Sequence, residues 1–223
     1  MNVIFVAGSY GSGTTALTGM LDKMGIASLP PHFKTNDPRT PNSFESMAFR
    51  RLVTSFADES TLTKDKSKAA EFVQGLRSLI RQADGGSADA VVLKMPLASI
   101  CITQIIEAVD PYVLLIHRPI DEIEASRKRR NWTPNLGAIG AQIIYSTLFS
   151  ELAFMKKSYL AISYHDLQEG PRREMLRITN FCGLSEINNR IDDAIGFVRG
   201  GSATASLPDD NAPNPNISYR NAK

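Results

Sequence analysis

Two rhythms of apolar residues alternate along this chain. Residues 3–7, 88–93, 112–116 and 159–164 are short runs with few charges and many β-branched or aromatic side chains. Each reads as a buried strand. Between them apolar positions recur every three or four residues: Leu17, Met20, Leu21 and Met24, then Met47, Phe49, Leu52, Val53 and Phe56. The same period carries helices over about 66–83, 97–109, 136–157, 171–182 and 186–197. Gly25 and Gly183 stand where helices end, and residues 84–87 (Asp-Gly-Gly-Ser) form a turn. Residues 26–29 read as a further short strand. Residues 30–43 hold Pro30, Pro31, Pro38 and Pro41 among polar residues and predict a loop, read equally as a substrate rim or a solvated connector.

Strands alternating with helices, each strand apolar throughout, predict an α/β three-layer sandwich around a central parallel sheet. One domain over residues 1–200 is expected, followed by a polar tail at 201–223 rich in Asn, Pro, Ser and Asp. In such sheets ligands bind beyond the carboxyl ends of the strands. Gly8, Lys94, His117 and Arg118 all fall there.

Composition narrows the function classes only modestly. The chain has 223 residues, 43% of them hydrophobic and 22% charged, with a formal net charge of +2. That charge is too small to argue a nucleic-acid or membrane partner. No run approaches the length of a membrane span, and the chain opens directly into a core strand, so a cytoplasmic protein is expected. Its two cysteines, Cys101 and Cys182, sit in apolar helical patterns without metal-ligand or redox spacing.

The chemistry concentrates after the first strand. Gly8, Gly11 and Gly13, with hydroxyls at Ser9, Ser12, Thr14 and Thr15, make a glycine loop that runs into a helix. This arrangement aims backbone amides and a helix N-terminus at a phosphate-like anion. The loop nearly matches the nucleotide-triphosphatase pattern G-x-x-x-x-G-K-[ST], with Thr14 at the lysine position. The missing lysine counts against ATP or GTP chemistry.

Ser12-Gly13-Thr14-Thr15 resembles the 5′-phosphosulfate loop of sulfotransferases that use 3′-phosphoadenosine 5′-phosphosulfate (PAPS), with Gly11 where those carry lysine or arginine. Arg118-Pro119 with Ser126 resembles their 3′-phosphate motif, an arginine leaving a strand and a serine eight residues on. The bland reading of Arg118 alone is a helix-capping arginine. Tyr164-His165-Asp166-Leu167, Gly170-Pro171 and Phe181-Cys182-Gly183-Leu184 are similar to the family's Tyr-Glu-Asp-Leu … Pro … Phe-Leu-Gly-Leu passage, and Asn42-Ser43-Phe44-Glu45 echoes a segment of bacterial members.

The resemblance covers about residues 3–184 and implies a P-loop-like fold, PAPS as donor, and a small-molecule or glycan acceptor. Gly11, Ser12, Gly13, Thr14, Thr15, Arg118 and Ser126 are the implied donor-binding residues. No metal is implied, and Asp166 matches a structural position. For the acceptor's base the resemblance puts Glu45 first, with a helix N-cap partner as its alternative; His32 is second and His117 third. Gly11 leaves the leaving-group charge to Lys94 or to a base such as Lys34, or else marks a slow or inactive relative. Arg127–Arg130 reads as a solvated helix face or a flank of the 3′-phosphate site. The competing readings are a P-loop kinase of nucleosides or small metabolites and a non-catalytic nucleotide-binding protein.

Overall fold

A computed structural model describes residues 1–37, 40–84 and 89–203, with side chains through 197 in the last stretch. The elements in chain order are β1 (Asn2–Ala7), α1 (Thr14–Lys23), β2 (His32–Lys34), β3 (Asn42–Ser46), α2 (Met47–Phe56), β4 (Ala57–Asp58), β5 (Thr63–Lys64), α3 (Ala69–Ala83), β6 (Ala90–Lys94), α4 (Ile102–Val109), β7 (Tyr112–His117), α5 (Ile120–Arg129), α6 (Ala138–Phe154), β8 (Tyr159–Ser163), α7 (Tyr164–Glu169), α8 (Pro171–Cys182) and α9 (Ile191–Ala203).

β6, β1, β7 and β8 form one parallel sheet in that spatial order, registered by Phe5 opposite Leu93 and Val113, and by Leu115 opposite Ala161. Because successive side chains point to opposite faces, the sheet separates two cores. Phe5, Leu93, Val113 and Leu115 meet α2, α3, α4 and α6 through Phe49, Phe72, Ile105 and Ile144. Ile4, Val6, Val92 and Leu114 meet α1, α8 and α9 through Leu17, Met20, Ile178 and Ile191. The result is the three-layer α/β sandwich that the alternating pattern predicts.

Three expectations need correction. Residues 26–29 do not make a strand; they contribute a single parallel bridge from Ala27 to Val91 beyond β6. Leu29 already has φ +55°, outside the extended region. Residues 30–43 are not simply loop, since β2 and β3 pair as an antiparallel hairpin, His32 opposite Ser46 and Lys34 opposite Asn42. Glu45 accordingly ends a strand and caps no helix; Ser46 caps α2 by accepting from the Phe49 amide at 3.5 Å. Finally, β8 is not buried throughout, because it is an edge strand with Tyr159 and Ala161 exposed. Arg39, the turn residues 85–87, the start of the predicted strand at 88 and the tail from 204 lie outside the described residues.

Candidate functional site

β1 delivers the chain into the loop at the carboxyl edge of the sheet. Gly8 sits where a Cβ would meet the Ile116 carbonyl and the Ser12 hydroxyl, each at 2.7 Å, so only glycine lets the loop leave the strand this tightly. Ser99 fixes that exit: its Oγ accepts from the Gly8 amide and donates to the Gly8 carbonyl, both at 3.0 Å. Ser12 Oγ donates to the Ser9 carbonyl at 2.8 Å.

Gly11 and Gly13 lie in the left-handed region, at φ +77° and +102°. A Cβ at Gly13 would overlap the Tyr164 ring. Gly13 is the N-cap of α1, so among the described residues no side chain caps the first amides of α1, and no acid lies in its first turn. Among the described residues those first amides therefore have no side-chain acceptor.

On the β7 side, Arg118 leaves the strand and Ser126 lies two turns into α5. Arg118 Nη1 donates to Ser126 Oγ at 3.2 Å, and its Nε donates to Glu122 Oε2 at 2.6 Å. The guanidinium lies over the Tyr164 ring, 4.8 Å from its centroid. A Cβ at Gly11 would come within 3.4 Å of Ser126 Cβ. The loop (residues 8–15) and the arginine–serine pair, 103 to 118 residues apart in sequence, thus share one edge of the sheet. His165 Nε2 meets the other Glu122 oxygen at 2.8 Å. Arg118 draws the Glu122 carboxyl below its usual range, with His165 adding to the effect.

On the β6 side stands Lys94, only 3% exposed. Its ammonium donates to Thr15 Oγ1 at 3.0 Å, the Ser43 carbonyl at 3.1 Å and Glu45 Oε1 at 2.9 Å. Glu45 Oε2 accepts from Arg50 at 2.6 Å, Arg50 also approaches Glu59 at 3.9 Å, and Tyr10 donates to Glu59 at 2.5 Å. Burial pushes the Lys94 ammonium below the ordinary lysine range, against the opposing pull of Glu45. Burial also raises Tyr10, reinforced by Glu59.

The structure therefore brings together Gly11, Ser12, Gly13, Thr14, Thr15, Lys94, Glu45, Arg118 and Ser126. It does not bring His32 to them. The His32 ring meets Ser28 Oγ at 3.0 Å, the Ser28 carbonyl at 3.2 Å and Asn42 Nδ2 at 3.2 Å, and so ties the hairpin to the end of α1, where Asp22 accepts from Ser28. His117 and Lys34 are exposed at the ends of β7 and β2. Ser99, Arg50 and Glu59 escape the sequence reading, and Arg130 enters it only as part of the run 127–130. Serine and glutamate carry no readable spacing here. Among the described residues no cluster of His, Cys, Asp or Glu could hold a metal ion, and no helix is long and apolar enough to cross a membrane.

A glycine loop after the first strand of a parallel sheet, running into a helix N-terminus with no side-chain cap, defines a P-loop-like α/β protein. The chain belongs to the Sulfotransferase family, whose match spans residues 3–188. Among solved structures it is similar to the sulfotransferase STF9 from Mycobacterium avium, at 16% identity and a TM-score of 0.50, covering 86% of this chain and 67% of that one. It is also similar to a sugar kinase from Janibacter sp. HTCC2649 (16% identity, TM-score 0.43, 84% of this chain and 98% of that one). A third, TT1252 from Thermus thermophilus, has 15% identity and a TM-score of 0.41, covering 80% of this chain and 98% of that one. No curated protein matches the chain.

Proposed function

We propose that this protein moves a sulfuryl group from PAPS to a hydroxyl or amine of a small molecule or glycan. The observation that carries the reading is the Arg118–Ser126 contact at 3.2 Å, set against Gly11 of the amide-lined loop. It gives one site two anion-binding ends, which suits a donor charged at both its 5′ and 3′ positions. The donor fits the residues present: positive-φ glycines give backbone access, an acid-free helix start faces the loop, and a guanidinium fork stands beside a serine hydroxyl.

When bound, PAPS supplies an activated sulfuryl group whose departure leaves a phosphate. The amides of residues 11 and 13–15 and the hydroxyls of Thr14 and Thr15 would hold the 5′ end, Ser12 shaping the loop through its two bonds to the Ser9 carbonyl, and Arg118 and Ser126 would hold the 3′ phosphate. Lys94 fixes the Thr15 hydroxyl and Glu45 at once. Glu45 takes the acceptor's proton, its carboxylate oriented by Lys94 and Arg50. The chain's contribution is placement and charge rather than covalent chemistry.

Thermal unfolding with adenosine 3′,5′-bisphosphate tests the reading. At about 100 times its Kd the bisphosphate stabilises the fold by about 2.7 kcal/mol, and ATP with magnesium does little. The reverse pattern would replace this reading with the kinase. Bisphosphate binding without PAPS consumption across a panel of acceptors would leave a nucleotide-binding relative instead.

A further inference from the structure

The proposed transfer needs a cation near the oxygen that leaves, and neither obvious source supplies one. Gly11 has no side chain to offer it. The Lys94 ammonium has three N–H donors, and all three are occupied by Thr15, Ser43 and Glu45.

Arg130 is a cation that the fold holds one helical turn beyond Ser126, the side chain nearest Gly11. It follows α5 at its C-terminal end, where the Arg130 amide donates to the Ser126 carbonyl at 3.1 Å. Its side chain is 20% exposed, lies 2.7 Å from Asp37 and donates to Thr40 Oγ1 at 3.2 Å. The guanidinium stacks on Trp132, 4.6 Å from the ring centroid, and Trp132 packs edge-on against Tyr10 of the loop at 6.1 Å. Arg118 stands close enough to repel it, and its own charge is felt at Lys94. Asp37 is shared with Arg129, which approaches it at 3.4 Å. Drawing a guanidinium out of water toward two like charges costs stability, and a bound anion offsets that cost.

We propose that Arg130 supplies the positive charge that other members carry at position 11, holding the phosphosulfate and neutralising its bridging oxygen. The inference rests on the sulfuryl-transfer reading above. In that step the acceptor oxygen forms a bond to sulfur while the bond from sulfur to the bridging oxygen breaks. The electron pair stays on that oxygen beside Arg130, and the acceptor's proton goes to Glu45.

The test measures bisphosphate affinity by calorimetry and PAPS turnover in four full-length proteins: wild type, Arg130→Gln, Arg130→Lys, and Arg130→Gln with Gly11→Lys. A lysine at position 11 finds room, its nearest contact being Ser126 Cβ at 3.4 Å, and its cost is backbone strain from the left-handed φ of +77° rather than a clash. Arg130→Gln is expected to slow turnover on the order of 10²-fold, Arg130→Lys to keep part of it, and the added Gly11→Lys to recover at least about tenfold. The recovery separates supplied charge from a structural tie to Asp37 and Trp132, because a lysine at 11 restores neither contact. Wild-type turnover in Arg130→Gln, or no recovery in the double variant, overturns the proposal. Should Arg130→Gln fail to fold, Arg130→Met, which keeps an apolar stem against Trp132 and loses the charge, gives the same two outcomes with and without Gly11→Lys. A wild type that binds no bisphosphate sinks the underlying reading, and this inference with it. One that binds and turns over while Arg130→Gln matches it sinks the inference alone.

Discussion

The two flanks of the glycine loop are built on opposite electrostatic plans. On the β6 flank every charge is answered: Lys94 and Arg50 face Glu45, and Arg50 also faces Glu59. The group is largely buried, and its polar atoms are fixed by one another and by Thr15 and Tyr10. On the β7 flank the guanidiniums of Arg118, Arg129 and Arg130 share the carboxylates of Glu122 and Asp37. Among the described residues these three guanidiniums share two carboxylates, and Arg118 is a quarter exposed. A balanced buried network holds geometry and attracts no ion; an unbalanced, accessible one attracts an anion and steers it. The β6 flank is therefore expected to govern stability and proton removal, and the β7 flank donor affinity through Arg118 and the leaving charge through Arg130.

Lys94→Ala is the largest blow to that division. It removes one partner of a buried pair and leaves Glu45 with Arg50 alone, a change that costs about 3 kcal/mol of stability. Turnover is expected to fall on the order of 10²-fold, with bisphosphate affinity nearly unchanged, as read by steady-state kinetics beside calorimetry. Lys94→Met combined with Glu45→Gln replaces the ion pair with neutral side chains of similar size, and should recover most of the stability and none of the turnover. If turnover and affinity fall together in Lys94→Ala, the β6 flank binds donor and the contrast between the flanks disappears.

Arg118→Ala should do the converse. Loss of a charge-assisted bond to a phosphate weakens bisphosphate binding by about 50-fold. The unfolding free energy should move by no more than about 0.5 kcal/mol, because the side chain is partly solvated and its Glu122 partner keeps access to water. A large drop in melting temperature with intact affinity would make Arg118 a cap for α5 rather than a ligand for an anion.

How much of this contrast the sequence discloses depends on where each contact is encoded. Residues 3–7, 90–93 and 112–116 of β1, β6 and β7 are apolar because both faces of each strand are covered, so these runs reveal the strands directly. Residues 171–182 match α8 end to end, since Pro171 and Gly183 punctuate it. Arg118 and Ser126 are legible because one strand and two helical turns fix their separation. Glu45 and Lys94 are 49 residues apart, and only the hairpin of β2 and β3 brings them to 2.9 Å. Proline content hides that hairpin, whose pairing is short and shifts register between His32 and Lys34. His32 looks like a candidate base from its loop setting, yet Ser28 and Asn42 hold its ring. Arg130 differs from its neighbours in the run 127–130 through its stack on the Trp132 ring and its bond to Thr40, contacts that no local pattern announces.

The smallest expected effect comes from a carboxylate on the same helix that does not face the glycine loop. Glu124 takes hydrogen bonds from Arg127 at 2.9 Å and from the Ala138 amide at 3.0 Å, so it ties α5 to the start of α6. Gly137 makes the approach feasible, since a Cβ there would overlap the Glu124 carboxylate. The Arg127 hydrogen bond, then the Ala138 amide, hold its carboxyl down at about 2, from an ordinary 4.5. A depressed folded-state pKa contributes stability that is fully present above the unfolded value and is lost as pH falls through the folded one. Between pH 4.5 and 2, then, part of the acid loss of stability belongs to Glu124. Glu124→Gln should flatten the acid limb of a melting-temperature series across that window and leave bisphosphate affinity at neutral pH unchanged. An affinity change as large as that of Arg118→Ala would mean that α5 transmits charge along its length, and the β7 flank would have to be redrawn as the whole helix rather than the face that meets the loop.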